Sequence, residues 1–175
     1  GARPCRPRTQ GAADRPGPPF LPDPRLRRTG RTGTAGRAGA VTTYYTCLDP
    51  ELLTIARWKN PTTPPDVRLG DLDYAFGAND AFADAVREDT PWMLVSCYYA
   101  PKLWELLYQP DKELFNAEYE RVKADSTIPK KFISARKILF SVLRESVETR
   151  QYEYFTDELN RHTPFKETSY SSNSC

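Results

Sequence analysis

Residues 41–58 read VTTYYTCLDPELLTIARW, in which a β-branched and aromatic run is followed by a helix-start signal. The run predicts a strand over residues 41–45, because such side chains fit a pleated, half-buried surface. Asp49, Pro50 and Glu51 then offer an N-cap, a proline at the first helical position and an early carboxylate, which predict a helix to about residue 58. A strand that leads directly into a helix is the unit from which α/β folds are built.

Helices and strands continue to alternate downstream of this unit. Phe82, Ala83 and Val86 follow the three- and four-residue spacing of a helix face. In chain order, the pattern predicts a helix over about 76–87, a buried strand at 92–95, and helices at about 103–108 and 111–123.

The strongest helix signal covers residues 134–149. We assign its apolar stripe to the core, and the stripe consists of Ile138, Leu139, Val142, Leu143 and Val147. Residues 152–155 and 170–175 are predicted to be extended, and the stretch between them at 160–165 is rich in turn-forming residues. The order of these elements predicts an α/β fold.

Charge divides the chain into two parts that the small overall charge of +2 conceals. Residues 1–40 hold nine Arg against Asp14 and Asp23, a net charge of +7, whereas residues 41–175 carry −5. Seven of the nine Gly and seven of the 16 Pro also lie in residues 1–40. We predict that residues 1–35 are disordered, because so few apolar side chains cannot offset the cost of ordering the backbone.

The same composition admits two further interpretations of residues 1–35. An Arg-rich disordered arm is able to bind nucleic acid through phosphate contacts. The mixture of Arg, Pro, Gly and Ala also resembles a G+C-rich stretch translated in the wrong frame, in which case the segment is not native. Residues 36–175 form the folded domain under each interpretation.

Several classes of protein are disfavoured by the sequence. No window approaches 18 uninterrupted apolar residues and the N-terminus lacks the apolar stretch of a signal peptide, so we expect a cytoplasmic protein without a membrane partner. Four widely spaced Cys and the single His162 do not form a zinc module or a disulfide framework. With 175 residues, the chain is one domain or part of a larger one.

Two short stretches contain residues that are able to carry chemistry. In an extended Ser172-Asn173-Ser174-Cys175, the side chains of Asn173 and Cys175 share one face, so an amide would lie beside a thiol. The alternative is an inert thiol in a polar tail, since no His or Lys neighbours Cys175 in sequence to lower its pKa. Residues 160–165, NRHTPF, are either part of a site or a loop shaped by Asn, Thr and Pro.

Taken together and in order, these stretches resemble the catalytic large subunit of class I ribonucleotide reductase. NRHTPF at 160–165 is similar to the family's N-x-H-[ST]-P-F, and SNSC at 172–175 is similar to the start of its S-N-L-C-x-E loop. RAGAVTTYY at 37–45 resembles the R-G-G-A-A-T-x-x-Y that follows the family's specificity loop. The resemblance covers residues 37–175, although Ser174 replaces the usual Leu and Ala38 a usual Gly.

The resemblance implies a fold and a set of site residues. The fold would be part of a ten-stranded α/β barrel, preceded by the Arg/Pro/Gly-rich segment. Cys175 matches the cysteine that removes the ribose 3′ hydrogen as a thiyl radical, Asn173 matches the asparagine that binds the ribose, and Ser172 is the accompanying substrate-binding residue. Arg37, Ala38 and Gly39 match the loop that couples effector identity to the choice of base.

The resemblance also implies cofactors and partners. No cofactor or metal would be bound by this chain, because the radical comes from a metal cofactor in a small partner subunit. The other partners would be the ribonucleotide substrate, the remainder of the large subunit, and thioredoxin or glutaredoxin as reductant, with ATP and deoxynucleoside triphosphates as effectors. Cys47 and Cys97 match neither member of the family's redox pair, and we assign them no redox role.

The expected function is therefore that of a fragment of a ribonucleoside-diphosphate reductase catalytic subunit, which makes deoxyribonucleotides for DNA synthesis. We expect the isolated chain to be inactive, because part of a barrel leaves strand edges unpaired. One alternative is half of a split reductase that is active only after assembly. Another is a small, non-enzymatic nucleic-acid-binding protein that uses its Arg-rich arm.

Overall fold

The computed structural model describes residues 41–171. Within this range strands and helices alternate for most of the chain, as the sequence predicts. In chain order they are β1 (Thr42–Thr46), α1 (Leu52–Ile55), β2 (Asp73–Ala78), α2 (Asp80–Glu88), β3 (Pro91–Val95), α3 (Pro101–Leu106), α4 (Lys112–Ala124), β4 (Lys130–Ser134), α5 (Ala135–Thr149), β5 (Tyr152–Phe155) and α6 (Thr156–His162).

Two sheets organise these elements. Strands β1, β2 and β5 form a three-stranded parallel sheet with β2 in the centre, whereas β3 and β4 form a two-stranded antiparallel sheet. In the parallel sheet Tyr44 is in register with Ala75, and Ala75 with Tyr152. Parallel neighbours need crossover connections, which here run through the helices.

One face of the parallel sheet, the helix face, packs into the main core. Phe76 on β2 contacts the Tyr45 ring and, on the other side, the Phe82 ring of α2 at 5.9 Å between centroids. Phe82 in turn contacts Trp92 on β3, which stacks on Phe115 of α4. This continuous aromatic cluster joins the two sheets through the helices, and it belongs to one hydrophobic core that also contains many buried aliphatic side chains.

The predicted helix over residues 76–87 begins too early. Phe76 lies in the buried central strand β2, and α2 begins at Asp80, where the Asn79 side chain accepts a hydrogen bond from the Phe82 amide. The strand is rich in small residues, and its sequence DYAFGA has none of the β-branched residues that mark a strand. Strand β4 was not predicted either, because the sequence KKFIS is charged and half-exposed.

The apolar stripe of α5 is only partly in the core. Ile138 and Val142 are fully buried, but Val147 is 86% exposed and Leu143 is also exposed, so the assignment of the whole stripe to the core was wrong. The second half of the helix instead buries Glu145 and Thr149. In this half of α5, hydrogen bonds to polar side chains replace the apolar contacts of the first half.

Glu145 is stabilised by neighbours from distant parts of the chain. Asn60 Nδ2 donates to Glu145 Oε2 at 2.6 Å, and the Arg57 guanidinium lies 3.9 Å from the other carboxylate oxygen. Gln151 Nε2 donates to Thr149 Oγ1 at 3.0 Å and to the Ala56 carbonyl at 2.6 Å. Because these buried polar groups have partners, α5 tolerates their burial.

The turn-rich interpretation of residues 160–165 also needs correction. Residues up to His162 belong to α6, which has acidic residues in its first turn and Arg161 and His162 in its last, a charge order that suits the helix dipole. The helix therefore covers the first half of this stretch, and the backbone becomes extended at Thr163.

The observed class is the predicted mixed α/β fold. The described residues contribute one three-stranded and one two-stranded sheet, and the closed ten-stranded barrel remains a prediction. Between residues 41 and 171, no helix is long and apolar enough to cross a membrane. The predicted disorder of residues 1–35 lies outside the described residues.

Candidate functional site

The carboxyl ends of β1, β2 and β5 lie side by side at one edge of the parallel sheet. Ligands of open α/β sheets bind at this edge, so a ligand site is expected there. The residues that follow the three strands are Cys47, Asn79 and Thr156, and all three are buried.

Cys47 is a structural residue at this edge. Its backbone amide donates to the Gly77 carbonyl at 2.9 Å, and its carbonyl accepts from Trp92 Nε1 at 2.8 Å. The side chain is fully buried, and burial raises the pKa of the thiol. Because the thiolate is the reactive form, Cys47 is unsuited to nucleophilic or redox chemistry.

Thr156 and Asp157 link the end of β5 to the other strands. Thr156 Oγ1 lies between the carbonyl oxygens of Ala78 and Leu107. Asp157 Oδ2 accepts from the Asp80 amide in the first turn of α2 at 2.8 Å. Burial raises the pKa of the Asp157 carboxyl, and this hydrogen bond opposes the rise. Both side chains therefore fix the edge of the sheet, and their polar atoms are occupied.

Arg161 and His162 lie on the outer surface of α6. Arg161 pairs with Asp80 at 3.1 Å and with Glu158. His162 Nε2 lies 2.9 Å from Glu158 Oε2, and its side chain is 75% exposed. Neither residue contacts a thiol among residues 41–171, so no Cys-His pair forms there.

The second face of the parallel sheet, which we call the tyrosine face, differs from the helix face. Because side chains alternate along a strand, this face includes Tyr44, Thr46, Ala75, Gly77, Tyr152 and Tyr154. Small residues occupy the central strand, and the Tyr154 ring extends over Gly77. A Cβ on Gly77 would lie 2.9 Å from Tyr154 Oη, so only glycine leaves room for that ring.

Hydrogen bonds and ring contacts tie the tyrosines together. Tyr152 Oη donates to Tyr44 Oη at 3.3 Å, and the Tyr44 and Tyr154 rings meet edge to face at 6.2 Å between centroids. Burial raises the pKa of Tyr154, which keeps its hydroxyl protonated as a donor. The face is thus polar at its surface and ordered by its own contacts.

The segment at residues 163–171 returns to this face after α6. Tyr154 Oη donates to the Tyr170 carbonyl at 3.2 Å, and the Tyr170 ring meets Tyr108 edge to face at 5.1 Å. Asn160 makes two further hydrogen bonds to the Ser169 backbone. The chain that leads into Ser172 is therefore attached to the tyrosine face at the carboxyl end of β5.

The site residues predicted from the sequence lie outside the described residues. They are Arg37, Ala38, Gly39, Ser172, Asn173 and Cys175. Their roles and the shared face of Asn173 and Cys175 remain predictions, as does nucleic-acid binding by the Arg-rich arm. Among residues 41–171, no group of His, Cys, Asp and Glu is arranged to hold a metal ion.

Sequence reasoning missed the tyrosine face and the attachment of residues 163–171 to it. The alternation of Tyr152 and Tyr154 is visible in the sequence, and it predicts that both rings lie on one face of a strand. The bonds from Asn160 to Ser169 have no local signal, because nine residues separate the partners.

Comparisons with known proteins agree with the predicted resemblance. A family model described as the ribonucleotide reductase barrel domain matches residues 27–175. The ribonucleoside-diphosphate reductase subunit alpha of Haemophilus influenzae is 28% identical over 130 residues, which cover 74% of this chain and 17% of that protein. The large subunit of the Dictyostelium discoideum enzyme is 27% identical over 146 residues, 82% of this chain and 16% of that protein.

A third relative extends the agreement to another organism. Large chain 2 of the Saccharomyces cerevisiae ribonucleoside-diphosphate reductase is 33% identical over 113 residues, 63% of this chain and 12% of that protein. The chain spans less than a fifth of the length of each of these three relatives. It belongs to the ribonucleotide reductase family, in which it matches the barrel domain.

Proposed function

We propose that the chain supplies part of the catalytic barrel of a ribonucleoside-diphosphate reductase and acts in making deoxyribonucleotides. The observation that carries this proposal is the family match through residue 175, which includes each predicted site residue from Arg37 to Cys175. The attachment of residues 163–171 to the tyrosine face supports it, because this segment, which immediately precedes Ser172 in sequence, is bound to β5 of a parallel sheet.

In the proposed mechanism, Cys175 is the reactive thiol. Its thiyl radical takes the 3′ hydrogen of the ribose, while Asn173 and Ser172 bind the sugar. Cys47 does not supply the reactive thiol, because its side chain is buried and its pKa is raised. The tyrosine hydroxyls give the tyrosine face a polar surface that suits a sugar.

The partners follow from the same proposal. A small subunit with a metal cofactor generates the radical, and thioredoxin or glutaredoxin supplies reducing equivalents. The loop at Arg37, Ala38 and Gly39 couples ATP or deoxynucleotide effectors to the choice of substrate. The rest of the barrel comes from further polypeptide, which covers the edges of β1 and β5 that are unpaired within residues 41–171.

The test uses the chain in its native assembly, isolated from cells through a tag on the chain. Conversion of labelled CDP to its deoxy form is measured with a dithiol reductant and the small subunit. We expect turnover by the assembly and none by the isolated chain. Cys175→Ser should remove turnover, whereas Cys97→Ser, the control at an exposed thiol, should retain it.

The alternatives give different results in the same assay. Co-purification of a second polypeptide that is required for turnover would identify a split enzyme. Unchanged turnover with Cys175→Ser would contradict the proposed role of that thiol. An assembly that makes no deoxynucleotide at all would contradict the proposed function.

A further inference from the structure

Helix α5 carries an apolar stripe on its outward side, and this stripe is exposed within residues 41–171. Phe140, Leu143 and Val147 are 64%, 39% and 86% exposed, and we call them the outer stripe of α5. Their spacing of three and four residues places them on one side of the helix, away from the buried Ile138 and Val142. Single exposed apolar residues are common, but three along one helix face indicate a surface that another molecule covers.

Positive charge surrounds the outer stripe. Lys137, Arg144 and Arg150 are exposed at the start, the middle and the end of the helix. Among the exposed residues of α5, Glu148 is the one acidic side chain, and its carboxylate lies 3.7 Å from Arg144 Nε. The surface around the stripe is therefore cationic, although residues 41–175 as a whole carry a net charge of −5.

This charge disfavours two candidate occupants that the chain itself offers. Residues 1–40 carry a net charge of +7, so the exposed cations of α5 repel them. A second copy would pair its own α5 with this one about a twofold axis near the middle of the stripe. Arg144 of one copy would then face Arg144 of the other at the centre of the interface, where like charges oppose association.

Further large-subunit polypeptide is the occupant that fits. The chain spans less than a fifth of the length of each of the three relatives, so a complete large subunit contains several times more polypeptide. In the proposed function that polypeptide completes the barrel around residues 41–171, and it is therefore close enough to α5 to cover the stripe. An acidic segment of it would complement the charge of the surface.

We propose that the outer stripe of α5 is the docking surface for an acidic amphipathic helix, supplied by large-subunit polypeptide outside this chain. The inference rests on the proposed function, which requires that polypeptide. Apolar side chains of the partner, spaced by three and four residues, pack against the stripe as in helix-in-groove recognition. Its Asp and Glu side chains meet Lys137, Arg144 and Arg150, and these ion pairs fix its register along α5.

Opposite charges introduced at Val147 test both parts of the proposal. The tagged full chain is isolated from cells, and the further large-subunit polypeptide that is recovered with it is quantified. Val147→Asp should lower this recovery about tenfold, because it removes an apolar contact and repels an acidic partner. Val147→Lys should lower it less, since its charge attracts the same partner. Equal losses, or the reverse order, would contradict an acidic occupant.

A leucine on another helix supplies the matched control. Leu143 on α5 and Leu114 on α4 are 39% and 43% exposed. Leu143→Asp should lower the recovery severalfold, whereas Leu114→Asp should leave it unchanged. Thermal unfolding of each isolated chain identifies a loss of fold, and the highly exposed Val147 keeps the test available if Leu143→Asp unfolds.

Photo-cross-linking identifies the occupant directly. Phe140→p-benzoylphenylalanine is made in the tagged full chain, and Tyr98→p-benzoylphenylalanine, at a tyrosine that is 82% exposed, is the control. After irradiation of the native assembly, the peptide joined to each position is identified by mass spectrometry. We expect position 140 to join an Asp- and Glu-rich helical segment of large-subunit polypeptide outside residues 1–175, and position 98 not to join that segment.

Other occupants would give different results and would overturn the inference. A cross-link from position 140 to a second copy of this chain, to residues 1–40 or to the small subunit would identify that occupant instead. Binding of the chain to phosphatidylserine vesicles that is abolished by Val147→Asp and retained by Val147→Lys would show that the stripe meets a membrane surface. Equal recovery with Leu143→Asp and Leu114→Asp would show that docking does not use the stripe.

Turnover of CDP in the same preparations separates this inference from the proposed function. If the assembly reduces CDP but position 140 joins no large-subunit segment, the docking is wrong and the proposed function stands. If the expected cross-link forms and the assembly makes no deoxynucleotide, the docking stands and the proposed function fails. Recovery of the tagged chain without any further large-subunit polypeptide would contradict both.

Discussion

The two faces of the parallel sheet are built from different residues, although they share the same three strands. On the helix face, Tyr45, Tyr74 and Phe76 are buried, and they pack against aromatic rings from helices and from the second sheet. On the tyrosine face, Gly77 lies beneath the Tyr154 ring, which is only partly buried. The helix face buries apolar surface area, and the tyrosine face presents hydroxyl groups beside the backbone of residues 163–171.

This difference gives the two faces of one sheet different structural roles. Large apolar side chains on the helix face supply the hydrophobic free energy that the fold needs. The tyrosine face contributes less to stability, and its hydroxyls and small residues leave room for the segment that leads toward Cys175. We therefore expect substitutions on the helix face to unfold the protein and those on the tyrosine face to disturb residues 163–171.

The largest effect is expected at Phe76. Phe76→Ala should lower the free energy of unfolding by about 4 kcal/mol, since the ring is fully buried between Tyr45 and Phe82. Phe76→Leu is the control, and it should lower the free energy of unfolding by less than about 1.5 kcal/mol. Denaturant unfolding measures both. If Phe76→Ala lowered the free energy of unfolding no more than Phe76→Leu does, the helix face would not carry the stability that we assign to it.

The next effect concerns the space beneath Tyr154. Gly77→Ala should lower the free energy of unfolding by about 1–2 kcal/mol, because the added Cβ would meet Tyr154 Oη at 2.9 Å. The same substitution should be less costly in a Tyr154→Leu background, where the ring is gone. A cost that is equal in both backgrounds, measured as a double-mutant cycle, would mean that the ring is not the obstacle.

A smaller effect follows from the loss of one hydroxyl. Tyr154→Phe removes the donor to the Tyr170 carbonyl and should cost about 1 kcal/mol of stability. Hydrogen exchange should accelerate in residues 163–171 and remain unchanged in β2. Tyr98→Phe, at a tyrosine that is 82% exposed, is the control. Faster exchange throughout β2 would show that the tyrosine face carries global stability after all.

The smallest effect concerns Asp157, whose carboxyl pKa is raised by burial. A raised folded pKa favours the protonated form, so this stabilisation is complete below the unfolded value of about 3.9 and is lost as pH rises through the folded pKa. Asp157→Asn removes the ionisation and keeps an oxygen for the Asp80 amide, but it loses the oxygen that accepts from the Glu158 amide at 3.0 Å. Relative to the unsubstituted chain, its unfolding temperature should therefore be about 2 °C more favourable at neutral pH than in acid.

Asp66→Asn, at an exposed position, is the control for this pH dependence. Thermal unfolding of both variants between pH 3 and 8, compared with the unsubstituted chain, supplies the measurement. An unfolding temperature of Asp157→Asn that rises relative to the unsubstituted chain as pH falls would contradict the predicted pH dependence.

Local signals in the sequence account for the elements that were predicted correctly. Ser134 caps α5 by accepting from the Lys137 amide, and Asp111 caps α4 by accepting from the Leu114 amide. Both helix starts are determined within four residues. The apolar run at β3 likewise identifies a strand without reference to its partners.

Long-range contacts account for the elements that were missed. The small residues of β2 are explained only by the tyrosines of neighbouring strands, and the burial of Glu145 only by Asn60, which lies 85 residues earlier. The attachment of Ser169 to Asn160 depends on the direction in which the chain leaves α6. None of these partners is visible in a local window of the sequence.

The central claim is that the helix face carries the stability of the fold while the tyrosine face holds residues 163–171. Hydrogen exchange of Phe76→Ala and of Tyr154→Phe, each compared with the unsubstituted chain, tests this division most directly. We predict that Phe76→Ala accelerates exchange throughout β1, β2 and β5 and that Tyr154→Phe accelerates it only in residues 163–171; acceleration throughout β2 in Tyr154→Phe would contradict the claim.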